Sequence, residues 1–341
     1  MVRQTEDNRP PLRDWTPWHR IAAGAFLALA LVGCSKLPGD IVGQPDGVVI
    51  VARPVPLDVA DPERDTVGRL RYRGGLALSS TDPRLGGISG LLVQPDGAAF
   101  VSISDNGYWI RASLIYDENG NLADVADAAI TPMLGLAGEV LNSSGPERDA
   151  EALTEDPQGG LIVAFERDHR LWRYERPGGL PMPIEAPDAL GAQPWHEGVE
   201  GLATLADGGL LAFSEGLRAE GGLAAWLRDD AGAWQRLSWR AGSAFQPTGA
   251  TTLPDGDVLV LDRRYPPIGV RVRRIAAETI APGAFLDGED IARLEGSLTV
   301  DNMEGIDALR TASGGVRVYL VSDDNYSPLQ TTLLMMFDLV D

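Results

Sequence analysis

Residues 200–215 read EGLATLADGGLLAFSE, and this stretch carries the pattern that decides the fold. An acidic residue and a glycine precede a short apolar run, an Asp-Gly-Gly turn and a second apolar run that ends in another acid. Asp-Gly and Gly-Gly between apolar runs are the strongest short-range signals for a β-hairpin. The stretch therefore predicts a hairpin with strands at Leu202–Leu205 and Gly209–Phe213.

The same pattern occurs five times, and the residues at its second position are 62, 49, 48 and 56 residues apart. A repeat of this length indicates a solenoid, a propeller or another array. Further short strands are expected between the units, and about four strands per unit is typical of a β-propeller blade. The units start and end at Ser89-Gly90-Leu91 and Asp105, Glu151-Ala152-Leu153 and Glu166, Glu200-Gly201-Leu202 and Glu215, Thr248-Gly249-Ala250 and Asp262, and Glu304-Gly305-Ile306 and Asp323.

The predicted fold is an all-β protein, a β-propeller of six blades of four-stranded antiparallel sheets closed by the N- and C-terminal strands. The count of six follows from dividing the length that remains after removal of a predicted N-terminal signal peptide, described below, by the repeat period. Leu333–Leu339 is expected to complete the sixth blade with strands from residues 48–78. A β-sandwich with repeated hairpins is the alternative fold.

The charge of the chain excludes some partners. The 341 residues include 29 Lys+Arg and 49 Asp+Glu, which gives a formal net charge of −20. Proteins that bind nucleic acid need basic patches, and adsorption to anionic lipid needs clustered Lys and Arg. We therefore expect no nucleic acid as a partner, and no contact with membrane except through a lipid anchor. We also expect a monomer.

The N-terminal segment is typical of an exported protein. The apolar run Ile21–Val32 is too short to span a bilayer comfortably and fits a secretory signal. It leads to Leu31-Val32-Gly33-Cys34, which resembles the bacterial lipobox and contains the single cysteine of the chain. We predict a signal peptide at residues 1–33, a lipidated Cys34 with a tether at 34–46, and a propeller domain at 47–341. The expected location is the periplasmic side of the cell envelope, at the outer rather than the inner membrane; the alternative is a buried free cysteine in an N-terminal helix.

In a propeller the repeated acids occupy equivalent positions, so Glu151, Glu200 and Glu304 are expected to converge at one end of the central channel. Carboxylates packed together must raise their pKa values, recruit arginine or bind a metal. Calcium is the favoured cation because it takes six to eight oxygen ligands. Asp105 and Asp323 are further candidate ligands. The alternative is that these acids form structural ion pairs between blades.

Some residues beside the acids are candidates for substrate binding. His196 lies in Trp195-His196-Glu197 and is placed to approach an anion, although a structural, hydrogen-bonded histidine is the alternative interpretation. Arg148, Arg167, Arg263 and Arg264 lie next to the repeated acids and are expected to supply counter-charges.

Several motifs resemble the phytase-like domain family, whose members are usually named "esterase-like activity of phytase". They are Arg148-Asp149-Ala150-Glu151-Ala152-Leu153, Glu200-Gly201-Leu202, Asn302-Met303-Glu304-Gly305-Ile306 and the segment from Asp255 to Arg264. The resemblance covers roughly Arg69–Asp341 and implies a β-propeller that hydrolyses a phosphoester or an ester. It therefore implies a small-molecule substrate, such as an organic phosphate.

The resemblance also implies roles for single residues. Glu151, Glu200 and Glu304 would ligate calcium and carry the reaction, Asp149 would support them, and Arg148 and Arg263 would contact phosphate oxygens. Two other functions remain open from the residues: a non-catalytic propeller that binds a ligand or an envelope partner, and a lactonase-like calcium propeller. The lactonase-like function would need asparagine ligands such as Asn106, Asn302 or Asn325.

Overall fold

The computed structural model describes residues 46–141, 145–242 and 244–340; the predicted signal segment, Cys34 and all but the last residue of the predicted tether lie outside these ranges. The described residues form short strands, one four-residue helix and two 3-10 turns. The strands are β1 Asp46–Gly47, β2 Val51–Pro54, β3 Thr66–Val67, β4 Leu70–Ser79, β5 Ile88–Val93, β6 Ala99–Ser104, β7 Tyr108–Tyr116, β8 Leu122–Pro132, β9 Ala150–Glu155, β10 Leu161–Phe165, β11 Arg170–Tyr174, β12 Pro181–Ile184, β13 Val199–Thr204, β14 Leu210–Ala219, β15 Gly222–Arg228, β16 Trp234–Trp239, β17 Gln246–Thr252, β18 Val258–Arg264, β19 Gly269–Ile275, β20 Phe285–Leu286, β21 Glu289–Leu294, β22 Asn302–Arg310, β23 Val316–Asp323 and β24 Thr332–Leu339. Helix α1 spans Asp188–Gly191, and the 3-10 turns span Pro146–Arg148 and Ala277–Thr279. None of the helices in the described ranges is long and apolar enough to cross a membrane.

The strands form five sheets, which are the blades of a β-propeller, as predicted. From the inner strand outward, the strand orders are β5-β6-β7-β8-β1 in blade I, β9-β10-β11-β12 in blade II, β13-β14-β15-β16-β20 in blade III, β17-β18-β19-β21 in blade IV and β22-β23-β24-β4-β2 in blade V. The five inner strands β5, β9, β13, β17 and β22 contact one another in sequence, and β22 contacts β5 to close the ring.

The predicted count of six blades is wrong, because residues 46–340, as far as the structure describes them, form five. The fifth repeat supplies only β22, β23 and β24, and β4 from the N-terminal side completes that blade by pairing with β24. The expected pairing of Leu333–Leu339 with strands from residues 48–78 is therefore confirmed, but it completes blade V rather than a sixth blade. Residues 46–54 contribute β1 and β2, which pair with the outer strands of blades I and V and form no blade of their own.

Each sheet is buried on both faces, which explains the continuous apolar runs in the repeats. Side chains of successive residues in a strand point to opposite faces of the sheet. In β18, Val258 and Val260 pack in the core between blades III and IV, whereas Leu259 and Leu261 pack in the core between blades IV and V. The same arrangement gives five apolar cores, one at each blade interface.

A β-bulge interrupts every inner strand at the first position of the repeat. In β13, Val199 pairs with Ser214 and Gly201 pairs with Phe213, so Glu200 has no residue opposite to it. Register shifts occur at the same place in the other four inner hairpins. A bulge bends the strand and redirects the side chain of the extra residue. The five residues at these bulge positions are Ser89, Glu151, Glu200, Thr248 and Glu304.

The glycine after the bulge lets neighbouring inner strands approach closely. A Cβ atom on Gly305 would lie 2.5 Å from the Val321 side chain and 3.0 Å from Cβ of Leu91 in the next blade. A Cβ atom on Gly90 would lie 2.8 Å from Cβ of Leu153. The repeat therefore requires a very small second residue because the inner strands of adjacent blades touch at this point.

Asp307 of β22 connects three inner strands on the side of the ring away from the bulges. Its carboxylate accepts hydrogen bonds from the Val93 N–H at 2.6 Å in blade I and from Thr251 Oγ1 at 2.9 Å in blade IV. It also accepts the N–H of Ala308 at 2.8 Å. Burial raises the pKa of Asp307 to about 6.

Replacing Asp307 with alanine should destabilise the ring, because it leaves a buried N–H and a buried hydroxyl without their acceptor. We expect Asp307→Ala to lower the free energy of unfolding by about 2–5 kcal/mol. The measurement is urea unfolding of the wild type and the variant. Asp230→Ala, which changes an exposed turn residue, is the control and should unfold like the wild type. Equal midpoints for Asp307→Ala and the wild type would contradict this role.

Candidate metal centre at the channel mouth

A second set of polar side chains lies beside the bulge positions, at the end of the second strand of each blade. Backbone pairing identifies them: the Glu166 N–H donates to Asp149 O, the Glu215 N–H donates to Gly198 O, and Asn302 pairs with Asp323. The five residues at these second-strand positions are Asp105, Glu166, Glu215, Arg263 and Asp323. The bulge positions and the second-strand positions together line the mouth of the channel.

In blade IV, the acid that ends the sequence repeat does not occupy the second-strand position. The spacing of the units placed Asp262 with the other acids, but Asp262 pairs with Pro247, and Arg263 is at the second-strand position. Because side chains alternate along a strand, a shift by one residue places Asp262 on the other face of the sheet. There it is fully buried and accepts hydrogen bonds from Trp239 Nε1 at 3.1 Å and Arg271 Nε at 2.9 Å.

Blades II and III bring five carboxylates together. Ligand oxygens of Asp149, Glu151 and Glu166 all lie within 4.8 Å of one another, and the same is true of Glu166, Glu200 and Glu215. Glu166 belongs to both groups. Ligand sets of this kind can hold a cation that coordinates oxygen.

Burial and mutual repulsion raise the pKa values of these acids. Burial, followed by the negative charges of neighbouring acids, raises the pKa of Glu151 and of Glu200 well above the usual range. Burial raises the pKa of Glu166 and of Glu215 to about 7. Charged carboxylates at this site therefore need positive charge nearby.

Arg167 supplies one such charge. Its Nε lies 2.7 Å from Asp149 Oδ2, and its backbone adopts φ = 59°, a conformation that non-glycine residues rarely adopt and that costs energy. Arg148 is close enough to lower the pKa of Asp149, although burial outweighs this effect and the pKa is raised overall. Arg264 points elsewhere and pairs with Glu295 at 2.9 Å, so it is not a counter-charge of the mouth.

His196 lies at the rim of the mouth rather than inside it. Its side chain is 70% exposed, and Nδ1 is 3.9 Å from Glu166 Oε1. The neighbouring Trp195 ring, which is also exposed, meets the imidazole edge to face at 6.3 Å between centroids. His196 is therefore accessible to a molecule that enters the channel, and its predicted role in substrate binding stays a prediction.

Glu304 has a different environment from Glu151 and Glu200. Its Oε1 lies 2.5 Å from Arg263 Nη1 and accepts a hydrogen bond from Asn302 Nδ2 at 2.7 Å. Asn302 Nδ2 also lies 3.3 Å from Asp323 Oδ2. Glu304 is thus paired with Arg263, whereas Glu151 and Glu200 contribute to the two carboxylate groups.

Asp105 and Asp323 line the blade I and blade V side of the mouth. Burial raises the pKa of Asp105 to about 7 and that of Asp323 to about 8. Neither residue belongs to the two carboxylate groups found among the described residues. Asp323 Oδ1 instead accepts the N–H of Asn325 at 2.6 Å.

The sequence thus predicted acids at this end of the channel but not the composition of the carboxylate groups. Of the predicted ligands, Glu151 and Glu200 lie in these groups, whereas Glu304, Asp105 and Asp323 do not. Glu166 and Glu215 belong to the groups but are not among the ligands that the sequence predicts. The signal for them was present, since both residues end the second strand of an acidic repeat.

The donor set fits calcium. All five side chains of the two groups are carboxylates, and calcium prefers several carboxylate oxygens in a flexible arrangement. Zinc fits poorly, because the groups contain neither histidine nor cysteine.

Comparison with protein families identifies the fold and the motifs as those of a known group. The family model described as phytase-like, "esterase-like activity of phytase", matches residues 83–326. The chain belongs to the phytase-like family. The matched residues include both carboxylate groups of this phytase-like propeller. A search of curated proteins found no match.

Solved structures with a similar chain trace have low sequence identity. A protein of unknown function from Dyadobacter fermentans is 16% identical, with 87% of this chain and 94% of that chain covered and a TM-score of 0.44. Virginiamycin B lyase from Staphylococcus aureus is 10% identical, with 86% and 100% covered and a TM-score of 0.41. The major allergen Mala s 1 of Malassezia sympodialis is 13% identical, with 81% and 91% covered and a TM-score of 0.43.

The raised pKa values predict how stability depends on pH without a cation. Glu166, Glu215 and Asp105 have pKa values of about 7 in the folded chain, whereas carboxyl groups in unfolded chains have values of about 4. The folded chain therefore binds more protons between these values, and its free energy of unfolding decreases as pH rises from about 4 to 8. Thermal unfolding in a chelator should show a lower Tm at pH 8 than at pH 5, and added calcium should offset the decrease.

Glu166→Gln is the variant that tests the origin of this effect. Removing the shared carboxylate should weaken the decrease of Tm with pH in chelator and also reduce the increase of Tm caused by calcium. Glu118→Gln, at an exposed turn, should behave like the wild type. A Tm that rises between pH 5 and pH 8 in chelator would show that these acids are held as stable ion pairs instead.

Proposed function

We propose that this phytase-like propeller is a calcium-dependent hydrolase that cleaves a phosphoester or an ester at the acidic mouth of its channel. The observation that carries the proposal is the pair of carboxylate groups that share Glu166. A structural role alone explains them poorly, because buried carboxylates that face one another destabilise the fold unless a cation is present. The family membership supports the same reaction class.

Asp149, Glu151, Glu166, Glu200 and Glu215 would hold the cation. A calcium ion held there would supply positive charge for an anionic substrate and would lower the pKa of a bound water molecule. Without such charge, the mouth would repel the phosphate group of a substrate.

The side chains around the ligands would position the substrate. Arg167 is held by Asp149 at the edge of the mouth, and Arg148 lies beside it at the end of a 3-10 turn. Guanidinium groups bind phosphate oxygens through two parallel hydrogen bonds, so these arginines would orient the anionic group of a phosphoester. The exposed imidazole of His196 would contact the part of the substrate that extends out of the channel.

Hydrolysis of para-nitrophenyl phosphate and para-nitrophenyl acetate tests the reaction. We expect turnover of at least one substrate in calcium, loss of turnover in chelator, and a decrease of at least about tenfold for Glu200→Gln. Glu118→Gln is the control for the loss of an acidic side chain outside the mouth.

Two results would reject the proposal. The first is turnover that neither chelator nor Glu200→Gln changes. The second is a clear rise of Tm in calcium with no hydrolysis of either substrate, which would favour the propeller that binds a ligand without catalysis.

We also propose that the protein is exported to the periplasmic side of a bacterial envelope and attached to the membrane through Cys34, with the propeller as a monomer. The support is the apolar run Ile21–Val32 followed directly by Gly33-Cys34. We expect a palmitate analogue to label the wild type and not Cys34→Ser, and we expect Cys34→Ser to leave the membrane fraction. Labelling of Cys34→Ser, or an unlabelled wild type in the soluble fraction, would refute the anchor.

A further inference from the structure

Arg263 reverses the charge at one of five equivalent positions. Blades I, II, III and V have a carboxylate at the second-strand position, and blade IV has this arginine. The bulge residue of the same blade, Thr248, is uncharged and donates its hydroxyl to Met303 O at 2.8 Å. Blade IV is therefore the blade whose mouth positions carry no acid.

The guanidinium of Arg263 connects three blades. Nη2 lies 3.0 Å from Glu215 Oε1 of blade III, and Nη1 lies 2.5 Å from Glu304 Oε1 of blade V. Nη1 also donates a hydrogen bond to Asn302 Oδ1. One positive charge thus contacts two carboxylates and an amide oxygen, which is the kind of ligand set that a calcium ion takes.

The other side of the mouth has no such bridge. Among the ion pairs of the described residues, none joins an arginine to Glu151 or Glu200, and Arg167 pairs with Asp149 alone. Positive charge is therefore built in between Glu215 and Glu304, whereas Glu151, Glu166 and Glu200 have no arginine partner among the ion pairs of the described residues.

We propose that Arg263 is a built-in cation that takes the place of a metal ion between Glu215 and Glu304, and that it confines divalent-cation binding to the carboxylates of blades II and III. The inference rests on the cation site of the proposed function and assigns to Arg263 a role other than contact with a phosphate. Its side chain is 19% exposed, and both terminal nitrogens already have carboxylate partners.

The test is the number of calcium ions bound per chain, measured by equilibrium dialysis with the full folded protein and calcium alone. Removing the guanidinium charge opens a site between Glu215, Glu304 and Asn302. We expect Arg263→Gln to bind one more calcium ion than the wild type, and Arg263→Lys, which keeps the charge, to bind the wild-type number. The double variant Arg263→Gln/Glu304→Gln should lose the additional ion.

Arg264→Gln is the matched control, because it removes the same charge from the neighbouring residue, which pairs with Glu295 at 2.9 Å. It should bind the wild-type number of ions. Thermal unfolding is a second measurement, which still reports calcium binding if Arg263→Gln is less stable. Arg263→Gln should have a lower Tm than the wild type in chelator and a larger increase of Tm in calcium.

The outcomes separate this inference from the proposed function. If the wild type binds calcium and Arg263→Gln binds the same number, with no larger increase of Tm, the role of Arg263 is overturned and the cation site remains. If only Arg263→Gln binds calcium, Arg263 takes the place of a metal ion as proposed, but the wild-type cation site is rejected, and with it the confinement of cation binding to blades II and III. If neither protein binds calcium, both are overturned.

Discussion

The close approach of five inner strands around one axis is the constraint on which the rest of the structure depends. Each inner strand has a bulge near its start, followed by alanine in blade II and by glycine in the other four blades. At Gly305 a methyl group would meet both Val321 of its own blade and Leu91 of the next. The requirement for a small residue here is therefore a packing requirement, and it explains why the motif recurs in every blade.

The same bulge creates the site. A regular strand would alternate its side chains between two apolar cores, but the extra residue leaves the hydrogen-bonded ladder and is free to face the channel. Because the bulge recurs at equivalent positions, polar residues placed there converge on one axis. Glu151 and Glu200 each join a carboxylate group that contains Glu166 in this way, although they are far apart in the sequence. Glu166 and Glu215 are supplied by the adjoining second strands.

This concentration of carboxylates opposes stability, and the fold compensates with apolar packing elsewhere. Five apolar cores lie between the blades, and Asp307 ties three inner strands together away from the bulges. Within the mouth, Arg263 neutralises part of the repulsion directly. Proteins commonly sacrifice stability at functional sites, and groups of buried like charges are an example of this compromise.

The hairpins, the propeller class and the closure of the ring were determined by the sequence itself, because glycine turns and apolar runs act over a few residues and repeat visibly. The number of blades was not, because the N-terminal strands add length without adding a blade: β4 completes blade V, and β1 and β2 extend the outer edges of blades I and V. The exchange of Asp262 for Arg263 at the mouth was also decided by the tertiary structure, since a shift of one residue moves a side chain to the opposite face of a sheet. Local patterns thus predicted roughly where the acidic residues lie along each strand. Only the packing of the blades decided which carboxylates share a site and which are already paired with arginine, because those distances join residues of different blades.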